Sequence, residues 1–124
     1  MPIIRVDVPA GHGKKKLAAL YQAIERWIAA AWAKEHIWIS LREKFSPPGN
    51  RQVIVTVDLR PGRGKERERL RVFFDGIQKA FKPLIGTTPE DLIVLIRDFP
   101  QHACLSGGDE LPPLKSLTPK LRNR

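Results

Sequence analysis

Residues 52–65 read Gln-Val-Ile-Val-Thr-Val-Asp-Leu-Arg-Pro-Gly-Arg-Gly-Lys. Five β-branched residues in succession, Val53 to Val57, predict a strand over 52–59. Pro61, Gly62 and Gly64 then turn the chain. From Lys65 to about Phe81 the apolar residues Leu70, Phe73, Phe74, Ile77 and Phe81 fall at helical spacing. Pro83 is expected to end that helix, because proline lacks the N–H an interior turn requires. After a turn at Thr87–Glu90, residues 91–96 (Asp-Leu-Ile-Val-Leu-Ile) predict a last strand.

The first half of the chain carries the same pattern. Val6-Asp7-Val8 is echoed by Val57-Asp58-Leu59, and Gly11-His12-Gly13-Lys14 by Gly62-Arg63-Gly64-Lys65, both at an offset of 51 residues. The N-terminal copy comprises an alternating strand from Ile3, a turn over 9–13, and a helix from Lys14 to Lys34. The stripe of that helix is Leu17, Leu20, Tyr21, Ile24, Trp27, Ile28 and Ala31. A bulky strand at 36–41 follows, expected to be buried on much of both faces. Duplication at this period predicts two β-α-β units in an α+β domain over 2–108, with repeats at about 2–42 and 52–97. Residues 109–124 are expected to form an arm or tail. The two units merge into one four-stranded sheet with both helices on one face. The other face reads as apolar and calls for a partner subunit.

Length, 124 residues, and 42% hydrophobic against 28% charged residues fit one globular domain. No apolar run approaches the roughly 18 residues of a membrane span. No secretory leader is evident, and the single Cys104 forms no internal disulfide, so a reducing cytoplasm is expected. The net charge of +9 points to anionic ligands, although Lys115, Lys120, Arg122 and Arg124 in the tail contribute four of those charges.

Pro2 directly follows the initiator Met and heads the first strand. Methionine aminopeptidase removes Met before a small residue, which exposes a secondary amine. An α-amino group titrates near ~7.7–8, burial lowers that value, and a neutral amine is a base. Arg60 and Arg63, held in one turn, are the residue type that grips a carboxylate through paired hydrogen bonds and stays cationic. Base and cations together suit keto–enol interconversion of a small 2-oxo or unsaturated carboxylate. Other chemistries fit worse. Gly11-His12-Gly13-Lys14 and Gly62-Arg63-Gly64-Lys65 lack the spacing and Ser/Thr of a nucleotide-binding P-loop. His12, His36 and His102 have no metal-ligand spacing. The run Lys65-Glu66-Arg67-Glu68-Arg69 mixes signs, so it reads as a solvated face and nucleic acid is not the expected partner.

Pro2, the duplication, and the strand-turn-helix segment VTVDLRPGRGKERERL (residues 55–70) resemble the tautomerase superfamily. The longer, fused-repeat members, cis-3-chloroacrylic acid dehalogenase-like and malonate semialdehyde decarboxylase-like proteins, are the most similar. The resemblance implies a small homotrimeric enzyme that needs no cofactor. It casts Pro2 as the catalytic amine and Arg60 and Arg63 as the carboxylate-binding pair. Glu35 falls where the decarboxylase branch carries an acidic residue, and the adjacent His36 is the alternative counterpart, here assigned to substrate binding. In the dehalogenase and decarboxylase branches the proline acts as a general acid, so decarboxylation or hydration is the alternative activity. A non-catalytic basic binding module on the same fold is a second alternative. Several positions depart from those branches. Trp27-Ile28 stands where the dehalogenases have a helical His, and Leu95 and Ser106 replace their late Tyr and Glu. Only the glycine end of Ala103–Gly108 keeps the decarboxylase pattern. Hydrolytic dehalogenation therefore lacks a residue to position water.

Overall fold

A computed structural model describes residues 2–33, 37–111, 114 and 118–121. The element order is β1 (Ile3–Pro9), α1 (Gly13–Ala31), β2 (Trp38–Lys44), β3 (Val53–Leu59), α2 (Glu66–Ile85) and β4 (Leu92–Asp98). A two-residue pair, β5 (Leu105–Ser106) with β6 (Asp109–Glu110), follows. The main sheet has the order β2-β1-β3-β4. Its outer pairs are parallel and its central pair, β1 with β3, is antiparallel. The α+β architecture read from the sequence is the one observed.

The duplication extends to backbone angles. Gly11 and Gly62 have φ of 99° and 98°, and Gly13 and Gly64 have 76° and 78°. Side-chain-bearing residues rarely adopt such angles, so both strand-to-helix turns depend on the same glycine pair. Alternation then fills the core. Ile4, Val6 and Val8 of β1 and Val53, Val55 and Val57 of β3 are fully buried, against Leu20, Ile24 and Ile28 of α1 and Phe73, Ile77 and Phe81 of α2.

Three local expectations need correction. α1 ends at Ala31, before Lys34. α2 passes through Pro83 and runs to Ile85. Pro83 forfeits one interior hydrogen bond, and the helix ends where Gly86 turns left-handed at φ 73° and donates its N–H to the Lys82 carbonyl. β2, expected to be buried on both faces, is a sheet edge that starts at Trp38, and Trp38 is 61% exposed. Only Ile37, Ile39 and Leu41 pack toward the core.

The open sheet face also differs from expectation. Asp58 bridges Arg5 (3.3 Å) and Arg97 (2.8 Å), and Arg42 pairs with Asp7 (3.2 Å). Ionic cross-strand pairs therefore interrupt the predicted apolar surface. Ile93 and Leu95 remain exposed beside them.

α1 and α2 meet where Gly76 lies under the Trp27 indole. A Cβ added to Gly76 would stand 2.1 Å from Trp27 Cδ2. Alanine gains about 1 kcal/mol in helix propensity over glycine, but at this contact overpacking outweighs the gain. Gly76→Ala is expected to lower unfolding stability by about 1–3 kcal/mol. Urea denaturation measures this, and a midpoint at or above wild type would show that the indole moves aside at no cost.

Candidate active site

The antiparallel register pairs Ile3 with Asp58, so Pro2, which precedes Ile3, and Leu59 and Arg60, which follow Asp58, stand at the same end of the sheet. Parallel pairing sets the start of β2 (Ile3 with Trp38) and the end of β4 (Leu59 with Asp98) at this same end. Four strand termini therefore converge. Pro2 is buried there, and its carbonyl accepts the Trp38 N–H at 3.0 Å.

Beside them opens a cavity of about 380 Å³, lined by Trp32, Leu59, Arg60, Pro61, Arg63, Glu66, Arg67, Leu70, Ile96 and Asp98. Trp32, just past the end of α1, is 2% exposed and packs on Phe73 with ring centroids 5.2 Å apart.

The arginine pair is built by the turn. Arg60 is only 2% exposed, and Arg63 Nη1 donates to the Arg60 carbonyl, which locks the second guanidinium over the first residue of the turn. Arg63 Nε and Nη2 are buried and have no hydrogen-bond partner among the described residues. These two N–H groups share one edge of the guanidinium, the edge that receives both oxygens of a carboxylate.

Burial lowers the Arg63 pKa to about 10, with further lowering by Arg60 and Arg69, against the opposing effect of Asp98 and Glu66. Arg60 is likewise lowered by burial, with an opposing contribution from Cys104. Both groups stay cationic at neutral pH. Glu66 accepts the Gly64 N–H at 3.0 Å, and the backbone N–H groups of Glu66 itself and of Gly64 hold its carboxyl below the usual range.

Of the residues chosen from the sequence, Arg60 and Arg63 line the cavity, while Pro2 stands at the same end of the sheet and is not among the lining residues. Glu35 and His36 lie outside the described residues. Sequence reasoning did not single out Asp98, Trp32, Arg69 or Cys104. The one available signal was for Asp98, since a β4 drawn two residues longer places it opposite Leu59. The described histidines, His12 and His102, do not join the site, and no group of three or more metal-ligating side chains occurs among the described residues. No described helix is long and apolar enough to cross a membrane.

The pseudo-twofold counterpart of this site lies at the opposite end of the sheet. There Pro9 and His12 occupy the positions of Arg60 and Arg63, beside a cavity that includes Asn50, Arg51 and Ile85. Glu43, the counterpart of Asp98 by strand register, accepts the Gly11 N–H at 2.6 Å and the His12 N–H at 3.3 Å. Only one end of the duplicated sheet therefore carries the paired arginines.

No protein-family model and no curated protein matches the chain. Solved structures do match. A fused 4-OT, a symmetric trimer, aligns with TM-score 0.74 and 22% identity over 87% of this chain and 97% of its own. Malonate semialdehyde decarboxylase aligns with TM-score 0.68 and 17% identity over 85% and 90%. The macrophage migration inhibitory factor of Toxoplasma gondii aligns with TM-score 0.73 and 11% identity over 88% and 99%. With its duplicated β-α-β units, central antiparallel strand pair and these neighbours, the chain has the fold of the tautomerase superfamily.

Proposed function

We propose that this chain is a cofactor-independent tautomerase that uses the amine of Pro2 as general base on a small 2-oxo or unsaturated carboxylate. The observation that carries the reading is the Arg63 edge: Nε and Nη2 side by side, buried and without a hydrogen-bond partner among the described residues, in the same turn as the buried Arg60. In this reading a carboxylate seated there turns its α-carbon toward Pro2, which heads β1 at the same end of the sheet. Burial of Pro2 and the neighbouring guanidinium groups both favour the neutral amine. A neutral amine can lift a proton from carbon, and the arginines offset the charge of the enolate that forms. The unit of function in this reading is a homotrimer, as in the symmetric fused 4-OT, with the mixed apolar and ionic sheet face turned inward.

The test is the ketonisation of phenylenolpyruvate by a chain whose intact mass shows loss of Met1. A chain that retains Met1 has an amide at Pro2 and is expected to lose about 10²–10⁴ in kcat, the usual contribution of a positioned base. Equal turnover by the two chains would eliminate Pro2 as the base. Turnover of malonate semialdehyde in place of phenylenolpyruvate would show that Pro2 works as an acid.

A further inference from the structure

We infer that Asp98 sets the charge selectivity of this cavity, which favours monocarboxylates with an apolar body over dicarboxylates. The inference rests on the proposed role of Arg60 and Arg63 as the carboxylate anchor. Among the described lining residues the cations are Arg60, Arg63 and Arg67 and the anions are Glu66 and Asp98. The remaining lining is Trp32, Leu59, Pro61, Leu70 and Ile96. One surplus positive charge matches one carboxylate, and the apolar walls match a hydrocarbon or aromatic body.

The two acids play different parts. Glu66 is committed to the loop, because it accepts the Gly64 N–H and its carboxyl is held ionised by backbone donors. In the first repeat Glu43, the register counterpart of Asp98, serves its own loop by accepting two backbone N–H groups. In the second repeat a different acid, Glu66, accepts from the turn, at Gly64 N–H. The Asp98 side chain makes no hydrogen bond among the described residues, yet it lines the cavity and acts electrostatically on Arg63. Asp98 is exposed at the end of β4, and a carboxylate there repels each negative charge that a ligand brings into the cavity, so a dicarboxylate is repelled twice and a monocarboxylate once.

Isothermal titration of phenylacetate and glutarate into wild type and Asp98→Asn tests this without requiring turnover. Wild type is expected to prefer phenylacetate by about tenfold or more, the scale of one unfavourable charge pair in a partly solvated cavity. In Asp98→Asn the preference is expected to narrow to about threefold or less, mainly through tighter glutarate binding, because a dianion feels the removed charge twice. Wild type that binds glutarate as tightly as phenylacetate, a ratio unchanged in the variant, or no binding of either anion would each overturn the inference. A preserved shift in ratio without ketonisation of phenylenolpyruvate would sink the catalytic reading alone.

Discussion

Replacing Arg63 with alanine is expected to lower kcat/KM for ketonisation by about 10²–10³-fold, the scale found when one preorganised donor to a developing anion is removed. The size follows from geometry. Arg63 is held by its Nη1 bond to the Arg60 carbonyl, so the Nε and Nη2 edge requires no reorganisation to meet a carboxylate. Arg63→Lys should recover little of the loss, because an ammonium is a point charge and lacks the planar pair of donors. Substrate anchoring also has a pH limit. The folded-state pKa of Arg63 is lowered to about 10, so the cation is fully present through the neutral range, and carboxylate affinity falls as pH climbs through about 10. Steady-state kinetics of the two variants decides the matter. Rates within threefold of wild type for Arg63→Ala would remove this residue from the site.

The second large effect is on stability. Arg69 is 5% exposed and donates to three carbonyls: Nε to Gly64 at 2.8 Å, and Nη1 to Ala31 at 2.9 Å and Pro119 at 2.8 Å. One guanidinium therefore ties together the turn after Arg63, the end of α1 and the chain beyond β6. Arg69→Leu leaves these carbonyls without their charged donor and is expected to lower unfolding stability by about 2–4 kcal/mol. The tail should be loosened at the same time. Urea denaturation gives the first quantity, and the rate of limited proteolysis in the tail gives the second. A loss below about 1 kcal/mol with unchanged proteolysis would show that water replaces the guanidinium without penalty.

Much of this architecture was legible because it is local. Hydrophobic period separated strands from helices, and the repeated Gly-x-Gly turns announced a duplication, which the matched left-handed angles at Gly11 and Gly62 then bore out. Pro2, Arg60 and Arg63 could be proposed as site candidates for a related reason: strand termini and tight turns expose side chains to whatever the fold brings beside them. Gly76 and Arg69 were not legible. A glycine inside a helix reads as a defect until the Trp27 ring above it is known. Arg69 sits in a charged run that reads as solvated, yet its acceptors are 38 and 50 residues distant in two of its three bonds.

By itself the sequence determined which segments are strands and helices, that they form two equivalent units, and which turn carries the paired arginines. These follow from short-range sterics, periodicity and turn chemistry. Only the tertiary structure decided that β1 and β3 run antiparallel at the centre, so that the start of one unit meets the end of the other. It also decided that Asp98 and Arg63 line one cavity, that β2 is an exposed edge, and that the open face is laced with ion pairs. The reason is physical. Register and face are properties of pairs of elements, and a residue's neighbours across a sheet are chosen by packing of the whole core rather than by its neighbours along the chain.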